Sequence, residues 1–169
     1  SAKINGIKKI NLKFAGGEPS LESKNMFFLA NYAKKLSKKH KINCRNVMIT
    51  NGTLLTGNLV KKLKKHNFHI AISIDGLEKS HDLTRKYKNG KGSYKQVISG
   101  LNKLNENKID FNVSIVINSY NLKELPQLTD YFLKKDIHFT FNFIRDNPLI
   151  NDSNLIPTNI ELIKSLKKV

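Results

Sequence analysis

Acids, amides, hydroxyls and one arginine recur at the ends of short apolar runs in this 169-residue chain. Gly16-Gly17-Glu18-Pro19 follows the first run, Ile10 to Phe14. Two glycines let a backbone turn sharply and bring bare amide and carbonyl groups close to a ligand. Glu18 sets a carboxylate beside that backbone, and Pro19 stiffens the exit and removes a donor. Together they could accept hydrogen bonds from a cationic amine; the plainer reading is a turn followed by a helix-capping acid. Thr50-Asn51-Gly52 ends the second run, and Ser73 and Asp75 end the third. Two positions apart, Ser73 and Asp75 share one side of an extended strand end. A hydroxyl and an acid there suit a ribose or a carboxylate, although Asp-Gly is also a common turn pair. Arg85 stands in the loop behind, with His81 and Asp82. Its guanidinium fork suits a bidentate carboxylate, the alternative being a surface salt bridge to Asp82 or Glu78.

The elements that must position these groups alternate in type. Strands are expected at Ile10–Phe14, Asn46–Thr50, Phe68–Ile74, Phe111–Ile117 and His138–Ile144, where β-branched and aromatic residues cluster. Helices are expected between them. The first runs from about Glu22 to Lys39 with Phe28, Leu29, Tyr32, Ala33 and Leu36 on one face, and the second from Gly57 to His66 behind a Thr56 N-cap. Ser93 with Gln96, Asn121 with Glu124, and Thr158 with Glu161 read as helix starts. The segment from Gly76 to Gly92 reads as a long loop. Strands alternating with helices imply parallel pairing through right-handed crossovers, as in a section of a (β/α) barrel or a doubly wound sheet. In such folds ligands bind at the C-terminal ends of the strands, where the polar groups above fall together with Asn118 and Asn142. Five βα units are too few to close an eight-stranded barrel, and both chain ends read as cut, so a piece of a larger protein is expected.

Composition narrows the class. Thirty Lys and Arg against 13 Asp and Glu give a formal net charge of +17, but only Arg45, Arg85 and Arg145 are arginine. Pairs such as Lys34-Lys35, Lys38-Lys39, Lys61-Lys62 and Lys64-Lys65 alternate with apolar positions, as solvated helix faces do. A polyanion partner is the competing reading. One cysteine, Cys44, excludes an internal disulfide framework, a Cys-rich zinc site and an iron–sulfur cluster held by this chain alone. The five histidines form no metal-ligand spacing, so no metal ligand is expected among these residues. Apolar runs stay well short of the roughly 18–20 residues of a membrane span, and a cytoplasmic setting is expected.

Taken in order, Phe14-Ala15-Gly16-Gly17-Glu18-Pro19, Thr50-Asn51-Gly52-Thr53-Leu54-Leu55, Ser73-Ile74-Asp75-Gly76, His81-Asp82-Leu83-Thr84-Arg85 and Gly90-Lys91-Gly92-Ser93-Tyr94 resemble the radical S-adenosylmethionine superfamily. Within it they look most like the branch of anaerobic sulfatase-maturating enzymes and SPASM-domain peptide modifiers. The resemblance covers roughly Ile10 to Leu149. It implies an α/β fold, a partial (β/α)6 TIM-like barrel of which strands two to six are present. It also implies one core domain over 1–169, with the cluster-binding segment upstream and any SPASM domain downstream of it.

By the same resemblance, Gly16, Gly17, Glu18 and Pro19 would receive the methionyl amino group of S-adenosylmethionine. Ser73 and Arg85 would hold its carboxylate, Asn51 and Asp75 would lie near the cofactor, and the strand end at Ile117 would border the adenosyl group. The implied cofactors are S-adenosylmethionine and a [4Fe–4S] cluster whose Cys-x-x-x-Cys-x-x-Cys ligands lie outside this chain; Cys44 is in the wrong place to be one. The implied reaction is reductive cleavage of S-adenosylmethionine and hydrogen abstraction by the 5′-deoxyadenosyl radical. The chain alone would be inactive, and no catalytic residue is assigned. A peptide or protein substrate and a reductant protein such as ferredoxin or flavodoxin are the implied partners, with neither membrane nor nucleic acid among them. The competing reading is a catalytically degenerate basic barrel module that binds RNA or another polyanion. An aldolase-like lyase ranks last, because no lysine in a strand core is placed as a Schiff-base nucleophile.

Overall fold

A computed structural model describes residues 6–144 and 153–169; Asn5, Arg145 and Pro148 lie outside the described residues. Strands and helices alternate: β1 (Lys9–Phe14), α1 (Ser23–His40), β2 (Asn43–Thr50), α2 (Gly57–Lys65), β3 (Phe68–Ser73), α3 (Glu78–Thr84), α4 (Tyr94–Glu106), β4 (Phe111–Ile117), α5 (Leu125–Lys134), β5 (Phe139–Phe143) and α6 (Asn159–Leu166). The strand order is β1-β2-β3-β4-β5. Helix α3 occupies part of the segment expected to be loop. It spans seven residues and has no side-chain cap of its own at Leu77, so it carries little sequence signal. The chain divides into two compact units, 1–72 with 98–111 and 73–97 with 112–169.

In the first unit β1 and β2 pair in parallel from Lys9 with Asn43 to Phe14 with Met48. β2 and β3 pair likewise from Asn46 with Phe68 to Thr50 with Ile72. The start of β4 follows β3 through Ile70 N–H, which donates to the Asp110 carbonyl at 3.1 Å. Period-two burial splits β2 and β3 into two faces: Met48, Thr50, Phe68, Ile70 and Ile72 are buried, while Val47, Ile49, His69, Ala71 and Ser73 are half-buried. Leu59, Val60 and Leu63 of α2 and Leu101 and Leu104 of α4 complete this unit's core. Thr56 caps α2 as expected, its hydroxyl accepting Leu59 N–H at 3.3 Å.

Helix α1 departs from its expected orientation. Phe28, Leu29, Tyr32 and Leu36 are exposed, and the buried side chains are Met26, Ala30 and Ser37, with Phe27 and Ala33 half-buried. Both sets recur at helical spacing. The buried set contains the small residues Ala30, Ala33 and Ser37, which allow close approach to the strands. The Ser37 hydroxyl donates back to the Ala33 carbonyl and so needs no other partner.

In the second unit Ile74 N–H donates to the Ser114 carbonyl at 3.1 Å. β4 and β5 are parallel from Val113 with Phe139 to Ile117 with Phe143. Val113, Ile115, Ile117, Leu122, Leu125, Leu128 and Phe132 are all buried, and Ile117 packs with Leu122 and Leu125. Thr158 and Glu161 form the expected capping box of α6.

Four αβ turns share one device. Lys41, Asn67, Lys108 and Asp136 each have φ between 50° and 54°, just after a helix and just before β2, β3, β4 or β5. Behind three of them an isoleucine N–H reaches back into the last helical turn: Ile42 to Ser37, Ile109 to Leu104 and Ile137 to Phe132. This is the Schellman arrangement, with a left-handed residue followed by an apolar contact.

Candidate functional site

The first unit holds the Gly-Gly-Glu-Pro segment. Gly16 and Gly17 have φ of 91° and 53°, and nothing lies within 4 Å of where a Cβ would stand on either. Two successive positive φ values turn the chain and leave its amides and carbonyls bare. The Glu18 carboxylate closes this turn onto the end of β2. Its Oε1 accepts Ser20 N–H at 3.1 Å, the Ser20 hydroxyl at 2.5 Å and the Thr50 hydroxyl at 2.6 Å. Its Oε2 accepts Asn51 N–H at 2.8 Å. Glu18 therefore caps the 3-10 turn Pro19–Glu22, as the plainer reading of the acid has it, and also pins β2. Asn51 turns its Oδ1 onto Thr53, accepting from its N–H at 3.0 Å and its hydroxyl at 2.8 Å. Thr50, expected with Asn51 and Gly52 at the end of the second run, had no role of its own in the sequence; the structure gives it the bond to Glu18.

The second unit holds Asp75, His81, Arg85 and Ser93. Asp75 is 5% exposed, and its Oδ2 accepts from Arg85 Nε at 2.5 Å while its Oδ1 accepts Val116 N–H at 3.0 Å. The arginine's partner is thus neither Asp82 nor Glu78, the surface acids of the alternative reading, but a buried acid ten positions earlier. The short helix α3 carries the chain back over that distance. An Nε pair uses one edge of the guanidinium and leaves both Nη groups outside it. Asn121 donates from Nδ2 to the Asp75 carbonyl at 3.0 Å and to the Val116 carbonyl at 2.8 Å.

Two expected caps are spent differently. The Ser93 hydroxyl goes to the Arg85 carbonyl at 2.9 Å, and Tyr94 N–H instead finds Asp82 Oδ1 at 2.9 Å. Gly92 makes room for this, since a Cβ there would sit 2.0 Å from the Asp82 carboxylate. Glu124, read as part of a cap for α5, instead accepts Leu77 N–H at 2.9 Å and the Ser80 hydroxyl, capping α3 from outside. Helices do start behind Ser93 and Asn121 as expected, but the side chains of Ser93, Asn121 and Glu124 bond to Arg85, Asp75 and Leu77.

His81 is fully buried, and burial, with Arg85 close by, lowers its pKa from 6.5 to about 4 against the opposing pull of Asp75 and Asp82. Burial raises the Tyr94 phenol, with Tyr131, Glu78, Glu124 and Asp82 adding to the effect. Ser73 is half-buried at the end of β3. Ile117 is 1% exposed and packs with Leu122 and Leu125 in a cluster that Phe141, Leu162 and Leu166 border, so its side chain belongs to the core. Cys44 is a free, partly exposed thiol in β2. Among the described residues no group of three His, Cys, Asp or Glu side chains is placed to hold a metal ion, and no helix is long and apolar enough to cross a membrane.

Comparison with known proteins identifies the family of the chain. A family model described as the radical SAM superfamily matches residues 2–132. A cysteine-type anaerobic sulfatase-maturating enzyme of Clostridium novyi is 32% identical over 140 residues, covering 82% of this chain and 37% of that protein. An Fe-coproporphyrin III synthase of Methanosarcina barkeri is 30% identical over 125 residues, 73% of this chain and 29% of that protein. The chain thus spans well under half the length of these two relatives. Among solved structures, anSMEcpe with bound AdoMet superposes with a TM-score of 0.81 at 27% identity, over 95% of this chain and 43% of that one. A domain of a pyruvate-formate lyase-activating enzyme from Bacteroides vulgatus shares the fold at a TM-score of 0.62 and 15% identity. The α/β arrangement is that of the partial TIM-like barrel of these proteins.

Proposed function

The chain belongs to the radical SAM superfamily, and from that premise we propose that it is the S-adenosylmethionine-binding part of a radical enzyme acting on a peptide or protein. The observation that carries the reading is Arg85. A guanidinium held at Nε by a buried carboxylate, with both Nη groups outside that pair, is preorganised for a second, bidentate carboxylate. An amino acid carboxylate such as that of S-adenosylmethionine fits it.

The other assignments follow the same chemistry. Ser73 would add a hydroxyl to the carboxylate. The bare carbonyls of Gly16 and Gly17 would accept the methionyl amine, with Glu18 supplying negative charge and Pro19 fixing the exit. Asn51 stands at the neighbouring strand end, Asp75 acts by holding Arg85, and Ile117 supports β4 from the core side. When bound, S-adenosylmethionine would supply a 5′-deoxyadenosyl radical for hydrogen abstraction, releasing methionine on accepting one electron from a reduced iron–sulfur cluster whose ligands lie outside these residues. This chain's own residues bind and orient it. They do not fit a [4Fe–4S] cluster, because Cys44 is the only thiol and such a cluster needs three or four. The sulfatase-maturating relatives support a peptide or protein substrate, and the reaction class calls for a reductant protein such as ferredoxin or flavodoxin.

Titration with S-adenosylmethionine tests the reading. The chain should bind it saturably, and Arg85→Lys should weaken binding by roughly tenfold or more, the worth of a charge-assisted bidentate contact. Absence of saturable binding would overturn it. In the full-length protein carrying its cluster, release of 5′-deoxyadenosine under a strong reductant tests the enzyme activity.

A further inference from the structure

We propose that His81 is a positioning residue: through Ser93 it ties the backbone of Asp75 to the backbone of Arg85 and so fixes the guanidinium that receives the cofactor carboxylate. The proposal rests on the reading of Arg85 above and deepens it. His81 Nδ1 accepts Asp75 N–H at 3.2 Å, which puts the ring proton on Nε2. Nε2 then donates to Ser93 Oγ at 3.0 Å, and Ser93 donates to the Arg85 carbonyl at 2.9 Å. One tautomer satisfies every group in this relay. Its two ends are the same two residues whose side chains meet at 2.5 Å. Asp75 and Arg85 are therefore joined twice, once through side chains and once through backbone, in a closed ring of hydrogen bonds.

The ring is braced from the elements around it. Val116 N–H holds the other oxygen of Asp75, and Asn121 holds its carbonyl. Asp82 fixes Tyr94 N–H beside Ser93, and the Tyr94 ring meets His81 edge-on with centroids 5.5 Å apart. Arg85 N–H returns to the His81 carbonyl at 2.8 Å, which closes the last turn of α3. A histidine that merely filled core space would have no need to aim both nitrogens at the backbone of an ion-paired acid and, through a hydroxyl, of its partner. An unfixed arginine side chain loses much rotamer freedom when it binds a ligand. Fixing its side chain before the ligand arrives removes that cost from binding. Burial and Arg85 keep the ring neutral, which the acceptor role of Nδ1 requires.

The test compares two ligands on the full chain: S-adenosylmethionine, and its decarboxylated analogue, which keeps the amine, sulfonium and adenosine. Ser93→Ala and His81→Asn should each lose about tenfold in affinity for S-adenosylmethionine and under about twofold for the analogue. Ser93→Thr, which keeps the hydroxyl, should retain the wild-type preference. Equal losses for both ligands, or none for either, would overturn the positioning role while leaving Arg85 as the carboxylate site. Ser93→Ala removes one oxygen, so a folding failure confined to His81→Asn leaves the comparison intact. If the wild-type chain binds S-adenosylmethionine no better than the analogue, both the relay's role and the reading of Arg85 fall.

Discussion

Glu18 and Asp75 are each fully engaged within their own unit. Each carboxylate gives both oxygens to neighbouring groups, Glu18 to Ser20, Thr50 and Asn51, and Asp75 to Arg85 and Val116. Residue type and strand-end position made these acids legible in the sequence. Their hydrogen bonds were not, because they span separations of 33 and 41 residues that local spacing does not encode. His81 shows the consequence for stability. Its neutral form is favoured in the folded state, with a pKa of about 4 against 6.5, whereas the unfolded chain takes up the proton below 6.5. Between those values the unfolded state binds more protons, so stability rises with pH across the window and is lost as pH falls. The shift corresponds to about 3 kcal/mol at most, present in full above pH 6.5. Urea unfolding from pH 7 to pH 4.5 should show that loss in the wild-type chain and a shallower one in His81→Gln, whose side chain does not titrate there. Equal slopes would show that His81 is not held neutral.

Strands and helices were read nearly to the residue where a pattern repeats over many positions. β4, for example, spans Phe111–Ile117 as expected, and α2 ends one residue early. Elsewhere two arrangements satisfy one sequence pattern. Helix α1 has two apolar stripes, and only packing decides that Met26, Ala30 and Ser37 go inward. Ser93, Asn121 and Glu124 are good caps by type, but Arg85, Asp75 and Leu77 compete for them. The repeated αβ turn was likewise hidden, since three of its four left-handed positions carry Lys or Asp rather than Gly or Asn. Left-handed φ costs a residue with a Cβ about 1 kcal/mol. Lys108→Gly should therefore stabilise the chain by about 0.5–1 kcal/mol in chemical denaturation, and a loss would show that the Lys108 side chain makes a contact worth more than the strain. Gly100→Ala should act oppositely. A Cβ there would stand 2.6 Å from the Gly52 carbonyl oxygen, so α4 or the Thr50–Gly52 turn has to move. A loss of about 1–3 kcal/mol is expected, together with weaker S-adenosylmethionine binding through Asn51. Unchanged stability would mean that the two segments separate freely.

Across the whole chain the excess of basic residues is the largest departure from the ordinary, 30 against 13 acids. The structure puts much of it where it serves local ends. All eight lysines of the four pairs are exposed. Lys38 and Lys39 lie in the last turn of α1, and Lys62, Lys64 and Lys65 in that of α2, where positive charge offsets the partial negative charge of the carbonyls. That placement accounts for lysine-rich helices without a polyanion, yet a net charge of +17 still repels itself and attracts nucleic acid nonspecifically. Thermal unfolding should therefore shift upward as salt rises from low values to about 0.1 M, where screening reaches within about 10 Å. Salt also separates the two functional readings. Binding of a polyanion through several lysines should collapse by orders of magnitude between about 50 and 200 mM salt. Binding of S-adenosylmethionine should change by less than about threefold, because Arg85 is held against a side chain only 8% exposed and the pair is little screened. If S-adenosylmethionine binding fell on the same steep slope, surface charge would be holding it and the Asp75–Arg85 pair would not be its site.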